Sequence, residues 1–88
     1  MPAPPRPEGR ALVMIRRTMR VGEVRQTSIM LEAEFWAYLA ELAASRRVPL
    51  VTLVNEVAAA RPRPDSLASA LRVFALREAR RRLIPPAR

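Results

Sequence analysis

The 88-residue chain contains no cysteine, no histidine and no lysine. Without cysteine there are no disulfides and no thiolate nucleophiles. Without histidine the side chain that most often serves as general base or metal ligand is missing. Two glycines supply no phosphate-cradling loop. The longest uninterrupted apolar run is the six residues from Phe35 to Ala40, far short of the ~20 that a membrane span requires. Ordinary enzyme chemistry finds little to work with here. No catalytic residue, cofactor, metal site or membrane partner is expected.

What the chain has in excess is arginine. Sixteen arginines stand against eight acids, a net charge of +8. A chain of this length is one small domain, and alone it buries only about 60–65% of its unfolded surface. The charge is concentrated at the ends. Residues 1–25 carry +4, residues 26–71 carry −1 and residues 72–88 carry +5. Basic ends around a nearly neutral middle favour contact with a polyanion. Pro2, Pro4, Pro5 and Pro7 precede any apolar stretch, unlike a signal peptide, so a cytoplasmic location is the expectation.

Residues 1–20 read as a basic, proline-rich arm. Its last part, with Val13, Ile15, Met19 and Val21 at alternate positions, hints at an extended segment, although Arg17 interrupts the apolar series. Residues 21–61 form the core unit. Within it Thr27, Ile29 and Leu31 alternate with Gln26, Ser28 and Met30, the period of a half-buried strand. Glu32 and Glu34 then suit a helix start, and Phe35, Leu39 and Leu42 carry an apolar face through to Arg46. Leu50, Leu53, Val54 and Val57 repeat the pattern in a second helix entered at Pro49 and stopped by Pro62 and Pro64. Residues 62–84 hold a third helix, capped by Asp65 or Ser66, with Leu67, Ala70, Leu71 and Phe74 on its apolar side. Residues 85–88 are a tail.

A single strand leaves its backbone groups unpaired. Two arrangements supply a partner: the same strand of a second copy, antiparallel about a two-fold axis, or a hairpin with residues 12–21 turning at Gly22-Glu23. The first is preferred, because no second strand of equal quality lies in the chain.

Strand, acidic helix start, helix, short turn and helix resemble the ribbon-helix-helix DNA-binding fold of the Arc and MetJ type. Residues 25–36 (RQTSIMLEAEFW) and 67–74 (LASALRVF) are similar to a bacterial subfamily with an added third helix. The resemblance implies a mostly α fold with one short strand, an intertwined homodimer sharing a two-stranded antiparallel ribbon. Ile29, Leu31, Phe35, Trp36, Leu39, Leu53, Val54 and Val57 would form the dimer core. The ribbon would enter the major groove of double-stranded DNA, with Gln26, Ser28 and Met30 contacting base edges. Arg20, Arg25 and the second helix's amino end (Leu50, Val51, Thr52) would hold phosphates. Pro49 stands where such proteins usually carry Ser or Thr, and Arg47 where they carry Gly. The implied function is a nucleoid-associated transcriptional regulator in the bacterial cytoplasm, a repressor. One alternative is an antitoxin-type repressor whose third helix holds a toxin or other partner protein. Another is a helical adaptor or scaffold that does not bind DNA.

Overall fold

The computed structural model describes residues 12–23, 25–60 and 66–83. The proline-rich residues 1–10, Asp65, Pro62, Pro64 and the tail at 85–88 lie outside that range, as does the side chain of Arg25. Five elements follow in order: β1 (Met14–Val21), β2 (Arg25–Glu32), α1 (Ala33–Arg46), α2 (Leu50–Ala60) and α3 (Leu67–Leu83). The three helices and the half-buried strand at β2 lie where the apolar periodicities put them.

The antiparallel ribbon is present, and both of its strands come from one chain. β1 pairs with β2 from Met14 opposite Glu32 to Val21 opposite Arg25. There are thus two strands, not one, and β1 occupies residues assigned from sequence to the N-terminal arm. The hairpin, the second of the two arrangements, supplies a partner for one edge of β2 within the chain. Arg17 explains why β1 reads poorly as a strand. It falls on the side of the hairpin that faces the helices, where a charge breaks the alternation. Its guanidinium lies over the Trp36 ring, 5.4 Å from the centroid, while the residue as a whole stays exposed. The turn uses Gly22 at φ +76, and a Cβ there would meet nothing within 4 Å. Glycine is favoured at that point by its backbone conformation, not by lack of space.

The helix-facing side of the ribbon packs on all three helices. Ile29 and Leu31 of β2 join Trp36, Leu39, Leu42 and Ala43 of α1, Leu53, Val54 and Val57 of α2, and Leu67, Leu71 and Ala75 of α3. Of the eight residues expected in a dimer core, seven are buried within the single chain and Phe35 is half-buried. Trp36 is 2% exposed and donates its indole N–H to the Ile15 carbonyl at 2.8 Å. That bond fastens β1 to α1. Arg47 ends α1 in the left-handed region at φ 59, its N–H reaching the Ala44 carbonyl at 3.0 Å. Ser66 caps α3 by accepting from the Ser69 N–H at 3.2 Å.

Ion pairs tie α3 to the rest. Glu78 is buried and takes Arg81 at 2.9 Å, Arg82 at 3.1 Å and Arg46 of α1 at 3.3 Å. Arg72 meets Glu32 at 2.9 Å, joining α3 to the end of β2. Burial alone would raise the Glu78 carboxyl pKa. Hydrogen bonds from Arg82 and Arg81, with the charges of Arg81 and Arg46, outweigh it and hold Glu78 below the usual carboxylate range. Glu32 is lowered too, chiefly by the hydrogen bond from Arg72. Groups with folded-state pKa values below their unfolded ones add stability at higher pH, which is lost as pH falls through the folded values. The melting temperature should therefore hold steady down to about pH 5 and drop below about pH 4.3, the unperturbed glutamate value. Glu78→Gln should flatten much of that drop in thermal melts. An unchanged acid limb in the variant would show that the cluster contributes nothing to it.

Candidate nucleic-acid interface

A strand presents alternate residues to opposite faces, so pairing β1 with β2 in this register builds two different surfaces from one hairpin. Because Ile29 and Leu31 point into the core, Gln26, Ser28 and Met30 point away from it, and all three are exposed. Directly across the ribbon stand Arg20 opposite Gln26, Thr18 opposite Ser28, and Arg16 opposite Met30. These three are exposed as well. The outer face is therefore a two-column array with two arginines, two hydroxyls, one amide and one thioether. It carries no acidic side chain between the Arg16–Met30 and Arg20–Gln26 pairs.

Cross-strand contacts organise the array. The Thr18 and Ser28 hydroxyls are 2.9 Å apart. Arg16 directs Nη2 toward the Met30 sulfur at 3.9 Å, a weak acceptor at long range. Arg20 donates from Nη1 to the Glu23 carbonyl at 3.2 Å. Each guanidinium keeps further N–H donors, since it has five in all. Sequence reasoning missed Arg16 and Thr18. The signal was present: both fall between Ile15, Met19 and Val21 on the same alternation, but Arg17 obscured it.

Asn55 of α2 sets the position of the ribbon's tip. Its amide oxygen accepts from the Gly22 N–H at 2.8 Å, and its Nδ2 donates to the Arg20 carbonyl at 3.0 Å and the Val51 carbonyl at 2.8 Å. One side chain thus joins Arg20 to the first turn of α2. The link runs through the Arg20 carbonyl, while the Arg20 guanidinium reaches the Glu23 carbonyl at the turn. Within the α2 amino end the three expected phosphate-binding residues are not equivalent. Thr52 donates its N–H to the Pro49 carbonyl at 3.0 Å, so that donor is occupied. The N–H groups of Leu50 and Val51 have no partner among the described residues. Arg25 takes the first position of β2, opposite Val21. Of the C-terminal arginines, Arg81 and Arg82 are engaged by Glu78, whereas Arg77 and Arg80 form no ion pair among the described residues.

A family model described as a ribbon-helix-helix domain matches residues 14–79, from the first residue of β1 to the last full turn of α3. The chain belongs to the ribbon-helix-helix family. Comparison with curated proteins finds no match, and neither does comparison with solved structures. Ribbon-helix-helix domains generally serve as DNA-binding regulators of transcription or as antitoxins, and they typically form homodimers. They are binding domains and not catalysts. Here the ribbon-helix-helix match takes in β1 and α3 together with the central strand and helices. The hairpin and the third helix are thus parts of the domain and not appendages to it. Among the described residues no helix is long and apolar enough to cross a membrane.

Proposed function

We propose that this protein is a dimeric, sequence-specific DNA-binding regulator, a repressor acting in the bacterial cytoplasm, that inserts the β1–β2 ribbon into the major groove. The observation that carries this reading is the outer face of the hairpin. It combines hydrogen-bonding side chains with arginines on a ribbon of the width that the major groove admits. Gln26 suits bidentate pairing with adenine, Ser28 and Thr18 offer hydroxyls that donate or accept, and Met30 suits a thymine methyl. Arg16 suits guanine O6 and N7 from the opposite column, or a phosphate at the groove wall. Arg20 on the ribbon, and the Leu50 and Val51 N–H groups at the start of α2, supply phosphate contacts that set its register. The protein acts by binding, and no step calls for a cofactor.

Selection of duplexes from a random pool, followed by titration over a salt series, tests the reading. An enriched sequence should emerge, and its affinity should fall linearly in log salt. For about four phosphate contacts the loss is about a hundredfold between ~50 and ~200 mM salt. No enrichment, or binding indifferent to salt, would leave the ribbon without a DNA role.

A further inference from the structure

Between α1 and α3 lies an open groove of about 400 Å3. Phe35 and Tyr38 of α1 line one wall, and Val73, Leu76 and Ala79 of α3 the other. These side chains are mostly apolar, yet Leu76 is 58% exposed. The Tyr38 hydroxyl is buried and has no hydrogen-bond partner among the described residues. An apolar patch left open marks an interaction site, and a buried hydroxyl left unpaired costs stability. The groove therefore calls for an occupant that is apolar and brings a hydrogen-bond acceptor.

The chain itself carries such a segment, and that segment begins beside the groove. The Val13 carbonyl accepts from the Ala33 N–H at 2.8 Å. The residues before β1 therefore leave the fold at the first residue of α1, next in sequence to Glu34 and Phe35. Pro2, Pro4, Pro5 and Pro7 stand among the first seven of them. Proline has no N–H, and a polyproline II helix makes no internal hydrogen bonds, so such a stretch offers apolar rings and free carbonyls. Aromatic-lined grooves take segments of this kind. Pro4 and Pro7 are one polyproline II repeat apart and span about 9 Å, matching the ~9 Å that α1 rises from Phe35 to Glu41. The linking residues 8–12 reach about 15 Å, more than the ~10–12 Å diameter of a helix, so either side of α1 is within range. Charge agrees: Arg6 and Arg10 arrive along α1, where Glu34 and Glu41 form no ion pair among the described residues. We infer that residues 2–10 occupy the α1–α3 groove of their own chain as a polyproline II segment. Its prolines lie against Phe35 and Leu76, and one of its carbonyls accepts from the Tyr38 hydroxyl. The inference is independent of whether the ribbon binds DNA.

The chain has no cysteine, so a nitroxide attached through Ala3→Cys is a single reporter on the full chain. In nuclear magnetic resonance spectra the amide signals of Tyr38 and Leu76 should lose the most intensity, and that of Ser28 on the outer face of the ribbon the least. Replacing Pro4, Pro5 and Pro7 together with serine should abolish the difference. Mixing the nitroxide chain with an isotope-labelled chain that lacks it should cost Tyr38 and Leu76 far less intensity, as docking within one chain requires. Thermal melts of Tyr38→Phe test the hydrogen bond. In the full chain the variant should melt about 4–8 °C lower, the shift that one hydrogen bond gives in a domain of this size. In the chain with the three serines it should melt no lower than its parent, because the hydroxyl then has no acceptor to lose. Intensity losses that are uniform or strongest on the ribbon would overturn the docking, as would a Tyr38→Phe full chain at least as stable as the wild type. Losses at the groove that appear equally in the mixed sample would assign it to a second copy's arm and overturn docking within one chain. Losses there from a nitroxide at Arg88→Cys, and none from Ala3→Cys, would assign it to the C-terminal tail instead. No readout involves DNA, so the duplex selection judges the ribbon separately.

Discussion

Replacing Trp36 with alanine is expected to cost about 3–5 kcal/mol of folding stability, the usual range for deleting a buried large aromatic. Three contributions meet in that side chain. Its ring is almost wholly buried between β1 and the helices. Its N–H satisfies the Ile15 carbonyl on the strand that completes the ribbon. Its face receives the Arg17 guanidinium, a contact of about 0.5–1 kcal/mol at an exposed site. Small domains are stable by only about 5–15 kcal/mol, so the variant should lie close to unfolding at room temperature. Urea denaturation followed by circular dichroism measures the loss. Fluorescence would not serve, because Trp36 is the only tryptophan. Arg17→Ala should cost much less, since it removes only the stacked cation. A loss below about 1 kcal/mol for Trp36→Ala would mean that the ribbon is not docked through this residue.

Gln26→Ala should act on a different quantity. If Gln26 reads an adenine, its removal costs about 1–3 kcal/mol of discrimination at that base pair and leaves binding to random duplex nearly unchanged. Arg20→Ala should behave in the opposite way, lowering affinity for all duplexes and reducing the salt slope by about one per contact. The two residues stand side by side across the ribbon, so the contrast separates base reading from phosphate anchoring within one cross-strand pair. Competition binding with the selected duplex and single-base variants makes the measurement. Equal losses on every duplex for Gln26→Ala would show that it does not read bases.

Much of this was legible in the sequence because apolar periodicity is a local signal. Thr27, Ile29 and Leu31 on one side of a strand also place Gln26, Ser28 and Met30 on the other. The helix limits at Arg46, Pro49 and Ser66 follow from a basic end, a proline entry and a hydroxyl cap. What was hidden was non-local. Arg17 breaks the apolar pattern of β1 because its partner, the Trp36 ring, lies 19 positions away in the chain. Glu78 falls on the buried side of α3, where periodicity predicts an apolar residue, because Arg46 of another helix neutralises it. Asn55, on a largely apolar helix, carries no local signal of what it does. Its role in holding the Gly22 turn depends on a fold that brings residues 33 positions apart into contact.

The joining of both strands in one chain, with Asn55 holding the turn, changes how the protein responds to dilution. A ribbon shared between two copies would make folding bimolecular, and stability would then depend on protein concentration. A hairpin closed by a short turn forms within one molecule and brings nearby residues together, a low-contact-order step that is rapid. Association can then follow folding instead of being required for it. For a dimeric regulator of the kind proposed, dissociation would then leave folded units ready to pair again, and occupancy of a site would be set by concentration without unfolding the protein.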